Sequence, residues 1–351
     1  MEFKIGKVRF SKNRTVVIAE AGVNHLGRMD LAEKLIKGAA QAGADIIKFQ
    51  TYKANKLTTK KAPRFWTWDG ERKKKGNQYD SYSNLDSFNM DDYYNLKKIC
   101  KNYKIEFMST PFDFESVDIL EALNVGGYKI ASCDITNFPL LKYVAKTKKP
   151  ILLSTGASEL QEIKDAVKVL EQNGAKNIVI MQCVLCYPTQ VKDANLSVVN
   201  SLKEVFTKNI IGLSDHTLGI KLAAGSVLLG VRVIEKHFTF DKNLPDSADH
   251  WLSVDEKELE ELVKEVRLFE SALGKTKKVL LNCEKRAFRY ARRSLVAKHQ
   301  IFKGEKITIK KIDFKRPGTG ISPNQLDKVL NKVAKKNLKE DQILKFSDFE
   351  K

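Results

Sequence analysis

Cysteine is scarce and unordered in this chain: five residues, an odd number, at irregular spacing. That excludes a disulfide-stapled scaffold and fits the reduced thiols of a cytoplasmic protein. Cys183 and Cys186 form a lone C-x-x-C, with no second pair for zinc and no thioredoxin-like context, so they read as two buried thiols. No apolar run is long enough to span a bilayer, so no membrane partner is expected. The N-terminal stretch lacks the apolar core and small-residue cleavage site of a secretory signal. There is no internal repeat and no low-complexity tract. Acidic residues are outnumbered, 43 against 62 basic ones, for a formal net charge of +19. That balance alone would suit nucleic acid. However, the lysines are scattered and no nucleic-acid motif accompanies them, so anionic small substrates fit better.

What is present is an alternation of short apolar runs and helical stretches. The 351 residues, 42% of them hydrophobic, suffice for one large domain and a small one. Apolar strands are expected at 15–20, 45–50, 105–109, 128–131, 151–154, 178–182, 210–213 and 232–236, with a helix after each. Eight β/α units in an α/β chain predict a TIM (β/α)8 barrel over residues 1–274. Asp30 is read as the cap of the first helix, Ser158 with Gln161 as a capping box, and Asp255 as the cap of the last helix. Residues 218–229 read as a single helix. The aromatic, basic stretch 51–89, with Trp66, Trp68, Tyr79 and Tyr82, is too long for a plain connection and reads as a lid. Beyond Gly274, residues 275–290 read as a linker and 291–351 as a small β-rich domain of short strands broken by glycine and proline.

In a β/α barrel the carboxyl ends of the strands converge on one face. The last two strands each deliver a histidine there, His216 and His237. Three of the five histidines fall between His216 and His250. Two neutral imidazoles on successive strands suit a divalent metal with open positions, while either alone would more often be a packed or supporting histidine. Other strand ends offer Glu20, Lys48, Gln50, Thr110, Lys129, Ser132, Ser154, Tyr187, Ser214 and Glu235. Two cations and several small hydroxyls can hold a phosphate and a carboxylate together. His25 reads either as a substrate contact or as a satisfied loop histidine, and the Tyr93-Tyr94 pair as helix packing.

These stretches, in order IAEAGVNHLG (18–27), DIIKFQ (45–50), STPFD (109–113), YKIASCDITNFPLL (128–141), LLSTGAS (152–158), GLSDHT (212–217), EKHFT (235–239), ADH (248–250) and KRPGTG (315–320), resemble the sialic acid synthase family. That family joins a phosphoenolpyruvate-condensing barrel to a small antifreeze-like (SAF, β-clip) domain. Its members make N-acetylneuraminic, legionaminic or pseudaminic acid from phosphoenolpyruvate and an N-acetylated hexosamine. The resemblance implies His216 and His237 as ligands of manganese, with magnesium or cobalt possible, and Glu20 as a catalytic carboxylate near it. It implies Lys48, Thr110, Lys129, Ser132, Ser154 and Ser214 around phosphoenolpyruvate, and Gln50, Asp134, Tyr187 and Asp249 around the sugar. It also implies a domain-swapped homodimer in which Arg316 reaches the partner subunit's site, with Tyr290 as an aromatic from the linker.

The chain departs from the family pattern in three places. Leu185 stands where relatives have a polar residue, Asp134 where glutamate is commoner, and the 51–89 insert matches nothing, although its Asn77 is a candidate sugar contact. The expected reaction is condensation of phosphoenolpyruvate with N-acetylmannosamine and water to N-acetylneuraminate and phosphate. The alternatives are the same chemistry on a diacetamido-trideoxyhexose, and a sugar- or glycan-binding protein without turnover.

Overall fold

The computed structural model describes residues 2–66, 76–245 and 249–350. The chain forms two compact units, residues 1–274 and 275–351.

The first unit begins with a hairpin that the sequence reading did not foresee, β1 (Phe3–Ile5) and β2 (Val8–Phe10), turning at Gly6 with φ +54°. Eight parallel strands follow: β3 (Val16–Gly22), β4 (Ile46–Thr51), β5 (Glu106–Pro111), β6 (Tyr128–Ile130), β7 (Ile151–Ser154), β8 (Ile178–Cys183), β9 (Ile210–Asp215) and β10 (Val233–His237). Their order is β5-β4-β3-β10-β9-β8-β7-β6. The end strands β5 and β6 run side by side, so the sheet curls into a nearly closed barrel. Helices alternate with the strands, as parallel connections require.

A two-residue period divides each strand between two environments. Val17, Ala19, Ile47, Phe49, Ile211, Leu213 and Ile234 face outward into the layer packed under the helices. Val16, Ile18, Ile46, Met108, Leu152, Val179, Met181, Ile210 and Val233 face inward and fill the lower barrel, where Phe3, Ile5 and Phe10 of the hairpin join them. A side chain at Gly212 would meet the Val233 carbonyl at 2.9 Å and Met181 Cγ at 3.0 Å. The lower barrel is therefore solid, and the inward positions nearer the carboxyl ends hold the polar groups.

Several local expectations need correction. Asp30 does not cap its helix (Met29–Gln41): the cap position is Arg28, and the two side chains pair at 2.6 Å. Glu159 and Glu162 form the capping box before Leu160–Gln172, while the Ser158 hydroxyl donates to the Thr155 carbonyl at 2.7 Å. The Glu162 carboxylate accepts from the Glu159 amide at 2.8 Å. The expected 218–229 helix is a short α-helix (Lys221–Gly225) continued by a 3-10 turn (Ser226–Leu229). Asp255 caps Glu256–Leu273 as expected. Cys183 is buried, but Cys186 is exposed, because it lies past the end of β8. Tyr93 packs in the core and Tyr94 is exposed.

The insert carries two short helices, Ala54–Leu57 and Gln78–Ser83, and a bridge between Pro63 and Asn77. Asn77 caps the second of these, its Oδ1 accepting from the Asp80 amide at 2.8 Å. Trp68 and Ala248 lie outside the described residues.

In the second unit, residues 282–290 form a 3-10 turn and a short helix, so the expected linker is partly helical. Strands β11 (Ser294–Ala297) and β12 (Ile312–Lys315) pair antiparallel. Leu295, Ile301, Ile307, Val329, Leu338 and Leu344 build a separate core.

Candidate active site

A cavity of about 1300 Å³ opens at the carboxyl ends of the barrel strands. Nearly every strand lends it a side chain, because the inward row that supplies Val and Ile below supplies Glu, Lys, Thr and Ser above. Among the expected residues, Glu20, Lys48, Gln50, Thr110, Lys129, Ser132, Asp134, Ser154, Tyr187, Ser214, His216, His237 and Asp249 all line it. Tyr290 and Arg316 belong to the second unit, where both are exposed.

The lysines are not bare cations. Lys48 Nζ lies 2.7 Å from Glu20 Oε2 and 3.8 Å from Glu235 Oε2, and it donates to Thr110 Oγ1 at 2.9 Å. Lys129 Nζ lies 3.8 Å from Glu235 Oε1 and donates to the Ile130 carbonyl at 3.2 Å. Glu235 thus bridges the two ammonium groups, and it also accepts from Ser214 Oγ at 3.0 Å. The sequence reading noticed Glu235 as a strand-end carboxylate but gave it no role. The signal was its position two residues before His237 on the same inward row.

Burial sets the electrostatics, since few charges are tolerated away from water. Burial pushes Glu20 up to about 7 against the pull of Lys48. Burial acts on Glu235 as well, but Lys129, Lys48 and the Ser214 hydroxyl outweigh it and hold its carboxyl below the usual range. Burial lowers Lys129 against the pull of Glu235. Burial likewise raises Asp249, to about 6. Ser154 Oγ is buried without a hydrogen-bond partner among the described residues, which leaves it able to donate to an incoming anion.

The two histidines meet on the neighbouring strand ends. Their ring centres are 5.3 Å apart. His216 Nδ1 lies 2.8 Å from the Val184 carbonyl, which can only accept, so a neutral His216 carries its lone pair on Nε2. A backbone carbonyl holding one ring nitrogen is the usual support for a metal-binding imidazole. His237 Nδ1 is buried without a hydrogen-bond partner among the described residues and sits 3.6 Å from Asp249 Oδ2. Burial, with the Lys48 charge nearby, keeps His237 neutral, the state a metal ligand needs. Among the described residues no group of three or more His, Cys, Asp or Glu side chains is poised to hold an ion. The candidate donors are the two imidazoles, a pair whose chemistry would suit a divalent cation with open positions for other ligands. Tyr187 covers the pair, 4.2 Å from His216 and edge-on to His237 at 5.8 Å between ring centres.

The remaining contacts arrange the far wall. Gln50 Nε2 donates to Glu20 Oε1 at 3.2 Å, and the Tyr93 hydroxyl fixes the strand there by donating to the Gln50 carbonyl at 2.9 Å. Asp134 is half-buried and accepts from Asn137 at 3.0 Å. Leu185, the departure from the family pattern, lines the cavity, as do Trp66 and Tyr82 of the insert; Trp251 and Phe65, not singled out beforehand, line it too. The described part of the insert thus forms a wall of the site. His25 is a satisfied loop histidine: it stacks on Phe88 at 4.3 Å and accepts from the Gly27 amide at 3.1 Å. His250 is buried, with its Nδ1 2.8 Å from Thr239 Oγ1.

Residues 35–278 match the NeuB family and residues 292–350 match the SAF domain. The chain belongs to the NeuB family. An uncharacterised protein of Methanocaldococcus jannaschii is 43% identical over 99% of this chain and 98% of its own length. The N,N'-diacetyllegionaminic acid synthase of Campylobacter jejuni is 42% identical over 95% of this chain and 99% of its own. A crystal structure of the N-acetylneuraminic acid synthetase of Leptospira borgpetersenii superposes with a TM-score of 0.73 at 33% identity, covering 82% of this chain and 94% of that one. As a NeuB-family protein with this barrel and SAF domain, the chain is an enzyme of the sialic-acid-type synthases.

Proposed function

We propose that the protein condenses phosphoenolpyruvate with the open-chain aldehyde of an N-acetylated hexosamine and water, giving a sialic-acid-type sugar acid and phosphate. The observation that carries this is the placement of two facing imidazoles beside a buried lysine–hydroxyl cluster in a single cavity. Lys48 and Lys129 face the phosphate and carboxylate of phosphoenolpyruvate, with Thr110, Ser132, Ser154 and Ser214 as hydroxyl partners. Because these groups are already fixed in the fold, binding charge there needs little reorganisation. Gln50, Asp134, Tyr187 and Asp249 surround the acceptor. A divalent ion held by His216 and His237, manganese in our reading with magnesium or cobalt as substitutes, would polarise the aldehyde oxygen. Carbon 3 of phosphoenolpyruvate bonds to the aldehyde carbon, water adds at carbon 2, and the C–O bond to phosphate breaks. The proton lost by that water goes to Glu20, whose carboxyl near 7 can hold or release it at neutral pH.

Two acceptors compete. The 42% identity to a legionaminic acid synthase supports a diacetamido-trideoxyhexose. The fold shared with a neuraminic acid synthetase supports N-acetylmannosamine. The higher identity favours the first. The family resemblance further assigns Arg316 to the site of a second copy in a domain-swapped homodimer, with Tyr290 as an aromatic from the linker; the reduced thiols suit a cytoplasmic setting.

Phosphate release from phosphoenolpyruvate, measured on the full chain with manganese and each sugar in turn, tests the reading. Release with the diacetamido sugar alone supports the first acceptor, and release with N-acetylmannosamine the second. No release with either would refute condensation and leave a non-catalytic sugar-binding protein. Undiminished release after chelation, or in His237→Ala, would refute the metal role.

A further inference from the structure

The residues beside the two histidines in sequence, Asp215 and Lys236, carry an ion pair that no step above uses. A period of two turns both away from the cavity, onto the outer face of the barrel. They are direct partners across the β9–β10 ladder. Lys236 is wholly buried, and its Nζ lies 2.7 Å from Asp215 Oδ2. The same ammonium donates to the Thr217 carbonyl. Thr217 in turn donates to Asp215 twice, through its amide at 3.1 Å and its hydroxyl at 3.0 Å. The loop carrying His216 is therefore held on both sides of that residue, and the anchor is the residue immediately before His237.

A buried ion pair is a poor source of stability, because apolar residues of similar volume often serve as well. Its better-attested use is to fix registration. Here the quantity it can fix is the separation and tilt of two rings projecting from the opposite face of the same two strands.

We propose that Asp215 and Lys236 are positioning residues that set the His216–His237 geometry for a divalent cation. This rests on the metal reading given under Proposed function. The comparison is wild type against the paired apolar replacement Asp215→Leu with Lys236→Met, which leaves no lone buried charge. Manganese affinity is read by electron paramagnetic resonance of the free ion, and folding by thermal unfolding of the full chain. The expected result is a folded variant whose manganese affinity is lower by about tenfold or more, the scale seen when supporting partners of ligands are removed. Thr217→Val, which keeps the ion pair and removes one hydrogen bond, should show a smaller loss in the same direction. Manganese binding equal to wild type in the folded paired variant would overturn the inference while leaving the metal reading intact. If the paired variant does not fold, wild-type affinity in Thr217→Val overturns it. Failure of wild type itself to bind manganese would overturn the metal reading, and this inference with it.

Discussion

Glu235→Gln separates the structural demand of the site from its chemical one. The Glu235 carboxylate sits 3.8 Å from both Lys48 and Lys129. At an effective dielectric near 20, each contact is worth about 4 kcal/mol of gross Coulomb energy. The cost of burying the carboxylate offsets much of that, and breaking a buried pair typically loses about 3–5 kcal/mol. Glutamine can still accept from Ser214, so the loss belongs at the lower end, about 3 kcal/mol of unfolding free energy. The variant then holds two buried ammonium groups with one fewer counter-charge. A phosphate and carboxylate entering the cavity would supply the missing negative charge. Phosphoenolpyruvate should therefore stabilise Glu235→Gln more than it stabilises wild type, by about 1.4 kcal/mol for each tenfold gain in affinity. Turnover should not rise with it, because tighter ground-state binding does not speed a reaction. The assay is urea unfolding with and without saturating phosphoenolpyruvate, in the absence of metal and acceptor. Unchanged stability, or weaker stabilisation of the variant than of wild type, would refute the placement of the anion between these lysines.

Two further perturbations probe the barrel around the site. Burial lowers His25 to about 4, so between about 6.5 and 4 the unfolded chain takes up a proton that the folded chain refuses. Stability contributed by neutral His25 is thus present above this window and is lost as pH falls through it, by about 3 kcal/mol in full. His25→Asn should show a shallower decline than wild type over that range, and equal slopes would contradict the assignment. Gly212→Ala places a methyl 2.9 Å from the Val233 carbonyl and should cost about 1–3 kcal/mol by overpacking, with loss of turnover as β9 shifts Ser214 and His216. An equally stable, fully active variant would show that the lower barrel is not close-packed.

Much of this arrangement was legible beforehand, for reasons that particular residues make plain. Ile46, Lys48 and Gln50 share a face in any strand, so the change from apolar to charged along β4 announced which end faced the site. The same held for Ser214 with His216 and for Glu235 with His237. The helix caps were less legible, because Asp30 is drawn to the Arg28 guanidinium instead of the helix amides and Ser158 donates to the Thr155 carbonyl instead of capping. The hairpin at residues 3–10 was overlooked even though Phe3, Ile5, Val8 and Phe10 alternate about a glycine, since a signal of that length is weak until a barrel floor exists to bury it.

Sequence alone determined the strand alternation, the polar upper row and the candidate histidine pair, because side-chain period and residue chemistry are local properties. Only the tertiary structure decided that Glu235 bridges two lysines from distant strands, that the insert walls the cavity, and that Asp215 and Lys236 pair behind the histidines. Those contacts join residues whose separation along the chain carries no trace of their distance in space, and barrel closure is what brings them together.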